Sequence, residues 1–120
     1  MKVFLVNGSP HQHGCTDRAL REVASALEQG GIETEIFWIG NQPIGGCIGC
    51  GACAKLGRCA FDGVVNEFAE KLGEADGFVF GSPVHYAAAS GNMTSFLDRL
   101  FYSVGGKLVG KPAAVVVSAR

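Results

Sequence analysis

Apolar and polar positions alternate between two periods along this chain. Val3-Phe4-Leu5-Val6 is an unbroken apolar run closed by Asn7-Gly8-Ser9-Pro10, the pattern of a strand buried on both faces of a parallel sheet. A helical period follows. Leu20, Val23, Ala24 and Leu27 fall on one face, while Arg18, Arg21, Glu22 and Glu28 lie mostly elsewhere. Thr16 or Asp17 can cap its start and Gly30-Gly31 its end. From Ile32 to Ile39, Ile32, Thr34, Ile36 and Trp38 alternate with Glu33, Glu35 and Phe37, which predicts a more exposed strand at a sheet edge. Helical spacing returns over Val64 to Glu74, with Val65, Phe68, Ala69 and Leu72 on one face. Gly77-Phe78-Val79-Phe80 predicts a buried strand closed by Gly81-Ser82-Pro83. A third helix begins near Ser90 and carries Met93, Phe96, Leu97, Leu100 and Phe101, and Ala113 to Val117 is a fourth apolar strand.

Strands alternating with helices call for an α/β fold, a parallel sheet covered on both faces. Right-handed crossovers and a strand order of 2-1-3-4 put the reversal of the winding between the first and third strands. Ligands of such sheets bind beyond the carboxyl ends of the strands at that point. Those ends are residues 7–16 and 81–91, both rich in Gly, Ser, Pro and His. The 120 residues make a single domain, 1–120. Sheets of this order normally continue with a fifth strand and a last helix. The end at Ser118-Ala119-Arg120 therefore predicts a C-terminally truncated domain without the fifth strand, its fourth strand left as an open edge.

Composition narrows the function. The net charge is −1, from 10 basic and 11 acidic residues, and no basic face stands out, which argues against nucleic acid as a partner. No apolar run approaches the ~18–20 residues that span a bilayer, and the apolar start is too short for a signal peptide. The expectation is a cytoplasmic protein whose five cysteines serve chemistry rather than a disulfide framework.

Three segments carry candidate chemistry. Gly8 to Thr16 is neither Gly-x-Gly-x-x-Gly nor a P-loop. Ser9 and Thr16 bracket a loop that opens a helix, so their hydroxyls and the exposed N–H groups can hold a phosphate. The alternative is a plain capped turn. Gly81 to Gly91 offers Tyr86, His85 and small residues that let a flat ring lie against the backbone, or a turn that covers the sheet edge. Residues 40–62 break every period and hold Cys47-x2-Cys50-x2-Cys53-x5-Cys59 among six glycines. Successive x2 spacing favours an iron–sulfur cluster, with free or redox-active thiols and a zinc site as alternatives. Cys15 is a small filler of the first loop. Trp38, Phe78, Phe80, Phe96 and Phe101 belong to the core, and Asp98-Arg99 forms a solvated or interface charge pair. No side chain stands out as a catalytic acid, base or nucleophile.

Gly8-Ser9-Pro10…Thr16, with Gly81-Ser82-Pro83-Val84-His85-Tyr86…Ser90-Gly91…Phe96-Leu97-Asp98-Arg99, resembles the flavodoxin-like NADPH-dependent FMN reductases along the whole chain. The resemblance implies a three-layer α/β sandwich that binds FMN. Its phosphate would lie against Ser9, His11, His13, Cys15 and Thr16, and its ribityl chain and ring against Pro83, Val84, His85 and Tyr86. Ser118 and Arg120 represent a third loop that also touches the ring. The cysteine spacing is similar to the compact motif of the iron–sulfur flavoproteins, in which four cysteines hold a 4Fe–4S cluster that exchanges electrons with FMN. Here Cys47, Cys50, Cys53 and Cys59 would do so, although the acidic pair that commonly follows that motif is Asp62-Gly63. The implied activity is electron transfer from NAD(P)H through FMN to an acceptor. An electron carrier without NAD(P)H turnover, and a self-associating remnant without flavin, are the alternatives. The resemblance also implies a homodimer or homotetramer. Phe96, Leu100, Phe101 and Tyr102 of the third helix, together with the cysteine loop, are expected to meet a neighbouring chain near the flavin.

Overall fold

The computed structural model describes all of residues 1–120. In chain order the elements are β1 (Lys2–Asn7), α1 (Cys15–Gln29), β2 (Glu33–Trp38), α2 (Cys53–Leu56), α3 (Val64–Ala69), β3 (Gly77–His85), β4 (Ala88–Ala89), α4 (Gly91–Val104) and β5 (Ala113–Ser118). β1 pairs in parallel with β2 on one side and β3 on the other, and β5 continues the sheet in parallel beyond β3. The four expected parallel strands thus run in the expected order, and the winding reverses at β1.

Two features differ from the sequence reading. The chain does contain a fifth strand. β3 does not stop at Gly81-Ser82-Pro83 but runs to His85, and β4 folds back antiparallel with Val84 opposite Ala89. The turn between them places Tyr86 (φ +47°) and Ala87 (φ +66°) in the left-handed region. A two-residue turn of that hand matches strand twist, yet it strains residues that carry a Cβ, which is why the pattern did not announce a hairpin. The second difference is at helix ends. Gly14 caps α1, and Thr16 and Asp17 lie buried inside its first turn, so neither is the cap. The helix expected over Val64 to Glu74 is α-helical to Ala69 and tightens to a 3-10 turn over Glu70–Glu74.

Strand alternation divides the core in two. Phe4, Val6, Phe78 and Phe80 point to the α3–α4 side, where they pack with Phe68, Leu72, Met93, Phe96 and Leu100. Leu5 and Val79, one residue out of phase, meet Leu20 and Ala24 of α1 on the opposite face. Phe68 is the hub of the larger core, its ring 5.0–6.2 Å from those of Phe37, Phe96, Phe4 and Phe78. β2 forms one edge of the sheet and β5 the other, and Val115 and Val117 of β5 are exposed. Of the aromatics assigned to the core, Phe78, Phe80 and Phe96 are buried. Phe101 is about half exposed, and Trp38 is only part-buried and serves the first loop instead. No helix is long and apolar enough to cross a membrane.

Candidate functional site

The loops after β1 and β3 are locked together from below. The Gly8 N–H donates to the Gly81 carbonyl at 2.8 Å. A Cβ on Gly8 would stand 2.8 Å from the Met93 sulfur and 2.9 Å from the Gly81 oxygen, and one on Gly81 would meet Leu20 at 2.9 Å. Gly8 needs glycine because α4 and the β3 backbone close in on it, while at Gly81 only the Leu20 side chain of α1 comes this near. Ser90 completes the lock. Its hydroxyl accepts from the Met93 N–H as the cap of α4 and donates to the Gly8 carbonyl at 2.7 Å, while its own N–H donates to Ser82 Oγ. Above this floor, buried Asn7 shapes the first loop by accepting from the Ser9 N–H and donating to the Gln12 carbonyl. The Trp38 indole N–H holds the Ser9 carbonyl at 2.8 Å.

The result is an open cleft of about 280 Å³ beyond the carboxyl ends of β1, β3 and β5. It is lined by Ser9, His11, Cys15, Thr16, Pro83, Val84, His85, Ser118 and Arg120, with Gly14 and Ala119 between them. Gly14 brings no side chain to the cap of α1, so the first-turn N–H groups keep their capacity to bind an outside acceptor. The Ser9 hydroxyl accepts from the His11 N–H, and the Thr16 hydroxyl lies 2.8 Å from that of Ser118, which ties α1 to the end of β5. Two of the predicted residues stand outside the lining. His13 turns to the Asp17 carboxylate, which also holds Arg21 at 2.7 Å. Tyr86 is fully exposed at the tip of the hairpin.

The cysteine loop builds a second, separate pocket. Cys47, Cys50, Cys53 and Cys59 all line one hollow, together with Phe61, Arg99, Tyr102 and Ser103. The hollow has room for about one water, roughly 20 Å³. Cys47 and Cys50 are exposed, Cys53 is half-buried and Cys59 is buried. Within the loop, the Gly49 N–H donates to the Cys47 sulfur at 3.4 Å. α2 ends at Gly57, whose φ of +71° is the left-handed turn that glycine takes without strain. No three His, Cys, Asp or Glu side chains converge on a single metal-ion position.

One stripe of α4 carries this loop. Asn92 accepts from the Ile44 N–H and donates to the Gln42 carbonyl. Gly46 passes over Ser95 and Asp98. Arg99 donates to the Cys59 sulfur, the Gly45 carbonyl and the Phe61 carbonyl. The Cys53 thiol reaches the Tyr102 carbonyl at 3.9 Å. Arg99 is only 8% exposed, so the expectation of a solvated or interface charge pair is wrong for it: the helix turns this residue under the loop. From the other side, Asn66 of α3 donates to the carbonyls of Cys59 and Phe61 and to the Asp62 carboxylate. Burial by itself raises the Cys59 thiol, but the Phe61 N–H, the Arg99 guanidinium and the Ala60 N–H outweigh it and hold the thiol below its ordinary value. The loop is thus ordered by its own chain. Phe96 and Leu100, expected to meet a neighbouring chain, are buried in the core instead. The sequence reading missed Asn66, Asn92 and Arg99. The available signal was a row of polar residues at helical spacing on α4, Asn92, Ser95, Arg99 and Tyr102.

Comparison with known proteins places this chain in a family. The chain matches the NADPH-dependent FMN reductase family over residues 1–120. It is 37% identical over 99 residues to an iron–sulfur flavoprotein of Methanocaldococcus jannaschii, covering 82% of this chain and 51% of that protein. It is 31% identical over 118 residues to one of Archaeoglobus fulgidus, covering 98% and 54%. The chain therefore spans about half the length of the curated relatives it matches. Among solved structures, RosB with a bound 8-demethyl-8-formylriboflavin-5'-phosphate intermediate superposes with a TM-score of 0.77 at 18% identity, over 100% of this chain and 52% of that one. The NAD(P)H:quinone oxidoreductase of Methanothermobacter marburgensis superposes with a TM-score of 0.74 at 18% identity, over 99% and 65%. These superpositions show a flavodoxin-like fold. By its match along the whole chain and its similarity to those relatives, this chain belongs to the NADPH-dependent FMN reductase family, in the iron–sulfur flavoprotein branch.

Proposed function

We propose that this chain is an FMN-binding domain of an oxidoreductase that passes electrons from NAD(P)H through FMN to an acceptor, with a 4Fe–4S cluster in the cysteine loop. One observation carries the flavin reading: the uncapped first turn of α1, the Ser9 and Thr16 hydroxyls and the β3 hairpin all face one cleft at the point where the sheet's winding reverses. There the phosphate of FMN would take the Ser9 and Thr16 hydroxyls and the N–H groups of Cys15 and Thr16. Pro83, Val84, His85, Ser118 and Arg120 would line its ribityl chain and ring. Bound FMN and the cluster supply the redox chemistry, the flavin exchanging electrons in pairs or singly and the cluster singly. The residues of the cleft bind and orient the flavin, and none of them is required as an acid or base.

The cysteine pocket supports a cluster over zinc. A zinc ion gathers its ligands around one point at about 2.3 Å, whereas a 4Fe–4S cluster spreads four thiolates over four irons. Four cysteines around one hollow supply the donor set of the second arrangement, and the matched relatives carry the name iron–sulfur flavoprotein. The hollow is small, so loading requires the exposed Cys47–Cys50 arm to move outward while Cys59 stays in place. Assembly into a homodimer or homotetramer belongs to the same proposal. Its support is the exposed side of α4, where Phe101 is 48% and Tyr102 67% exposed. The test is anaerobic purification with flavin, iron and sulfide analysis, followed by stopped-flow mixing with NADPH. The reading expects one FMN and about four irons and four sulfides per chain, with flavin bleaching on mixing. Protein without flavin overturns it.

A further inference from the structure

Arg99 is a buried cation without an anion. It is 8% exposed, yet it takes part in none of the protein's ion pairs, and its exposed neighbour Asp98 does not reach it. A guanidinium taken out of water without a carboxylate is costly, and proteins keep one where a negative group shares the site. Its three contacts are all with the cysteine loop: Nε to the Cys59 sulfur at 3.4 Å, Nη1 to the Gly45 carbonyl at 3.4 Å, and Nη2 to the Phe61 carbonyl. Those residues stand at the two ends of the loop, one just before Cys47 and two around Cys59. The planar fork of Arg reaches three acceptors at once, which Lys cannot do.

A second observation points the same way. Asn66 grips the Cys59–Asp62 segment from α3 with its amide N–H₂, while its Oδ1 is buried with no hydrogen-bond partner. The Cys59 arm is therefore fastened from two helices, and the other three cysteines are not. Cys47 and Cys50 are exposed, and Cys53 has a single long contact to a carbonyl. The positive charge of Arg99 faces the pocket that all four cysteines line.

We propose that Arg99 is a positioning residue for the cysteine site. It closes the loop by joining its two ends, keeps Cys59 as the preformed anchor onto which the other three cysteines fold, and supplies the fixed positive charge that offsets the negative charge of the loaded centre. The charge part rests on the reading that these cysteines hold an iron–sulfur cluster; the clamp part does not. A cationic group this close to the centre favours its reduced form, so the charge raises the reduction potential.

The test compares Arg99→Lys and Arg99→Gln with the parent protein in two measurements. The first is amide hydrogen exchange of iron-free protein across residues 58–62. Both variants are expected to exchange at least tenfold faster there, with no change in β1 and β3, because neither side chain spans Gly45 and Phe61 together. The second is an anaerobic redox titration of the loaded centre followed by electron paramagnetic resonance. Arg99→Gln is expected to lower the midpoint potential, and Arg99→Lys, which keeps the charge, to restore it towards that of the parent. A merely structural role would alter exchange but leave Gln and Lys at the same potential. Unchanged exchange in both variants overturns the clamp, and equal potentials overturn the charge role. If the parent protein carries no iron or sulfide after iron-replete anaerobic preparation, the cluster reading and the charge role fall together, and exchange still decides the clamp. Arg99→Lys is the variant expected to fold in any case.

Discussion

Replacing Ser90 by alanine tests the floor on which the cofactor cleft is built. The hydroxyl makes two bonds at once in a position only 3% exposed: it accepts the Met93 N–H at 3.1 Å as the cap of α4 and donates to the Gly8 carbonyl at 2.7 Å. Loss of an N-cap costs about 1 kcal/mol. Leaving the buried Gly8 carbonyl without its donor adds about 1–2 kcal/mol. Ser90→Ala should therefore destabilise the fold by about 2–3 kcal/mol, which for a domain of this size lowers Tm by about 10 °C. Ser90→Gly separates the two parts. Glycine at an N-cap loses only a few tenths of a kcal/mol, so about 1–2 kcal/mol should remain, from the Gly8 bond alone. Urea unfolding followed by circular dichroism gives both values. FMN affinity should fall in both variants, because Gly8 leads into the first loop. Stability within about 0.5 kcal/mol of the parent in Ser90→Ala would falsify the claim that this hydroxyl joins the two loops.

Four further outcomes follow from the same geometry. Gly8→Ala should cost about 1–3 kcal/mol, because the added Cβ meets the Gly81 carbonyl at 2.9 Å and Met93; equilibrium unfolding checks it. Cys50→Ala should abolish iron and sulfide binding but leave FMN bound, since the cysteine pocket and the cleft share no lining residue; metal and flavin analysis of one preparation decides. Glu35 is held below the ordinary carboxylate value, chiefly by its hydrogen bond from Lys71 and also by Lys2, against the upward push of burial. Its contribution to stability is therefore complete above the unfolded value near 4.5 and is lost as pH falls through the lower folded value, so Glu35→Gln should be less stable than the parent at neutral pH and equal to it in acid. Phe101→Glu or Tyr102→Glu should shift light-scattering mass towards monomer; a parent protein that is already monomeric with full FMN occupancy contradicts the assembly proposal.

The parts of this molecule written in hydrophobic period were legible, and the parts written in backbone contacts were not. Val3 to Val6 and Gly77 to Phe80 read as strands because two-sided burial leaves an unbroken apolar run, and the β1 reversal followed from alternation and handedness. The turn at Tyr86-Ala87 was invisible because it uses two residues whose own preferences oppose it. Arg99 was read outward because charge is normally solvated, and only the loop lying across α4 reverses that. The cysteines announced themselves by spacing, yet spacing does not say that Cys59 is buried and the other three are not. Thr16 passed as a cap because threonine favours that position, while glycine holds it and the threonine hydroxyl lies 2.8 Å from that of Ser118.

The most direct test of the central claim is a fluorescence titration of flavin-free protein with FMN, alongside the double variant Ser9→Ala/Thr16→Ala. The account predicts saturation at one FMN per chain with quenching of the flavin. In the double variant affinity should fall by at least about 30-fold, the equivalent of ~2 kcal/mol for lost charge-assisted hydrogen bonds to a phosphate. Equal affinity of parent and double variant, with unfolding curves that coincide, would contradict it and move the flavin out of this cleft.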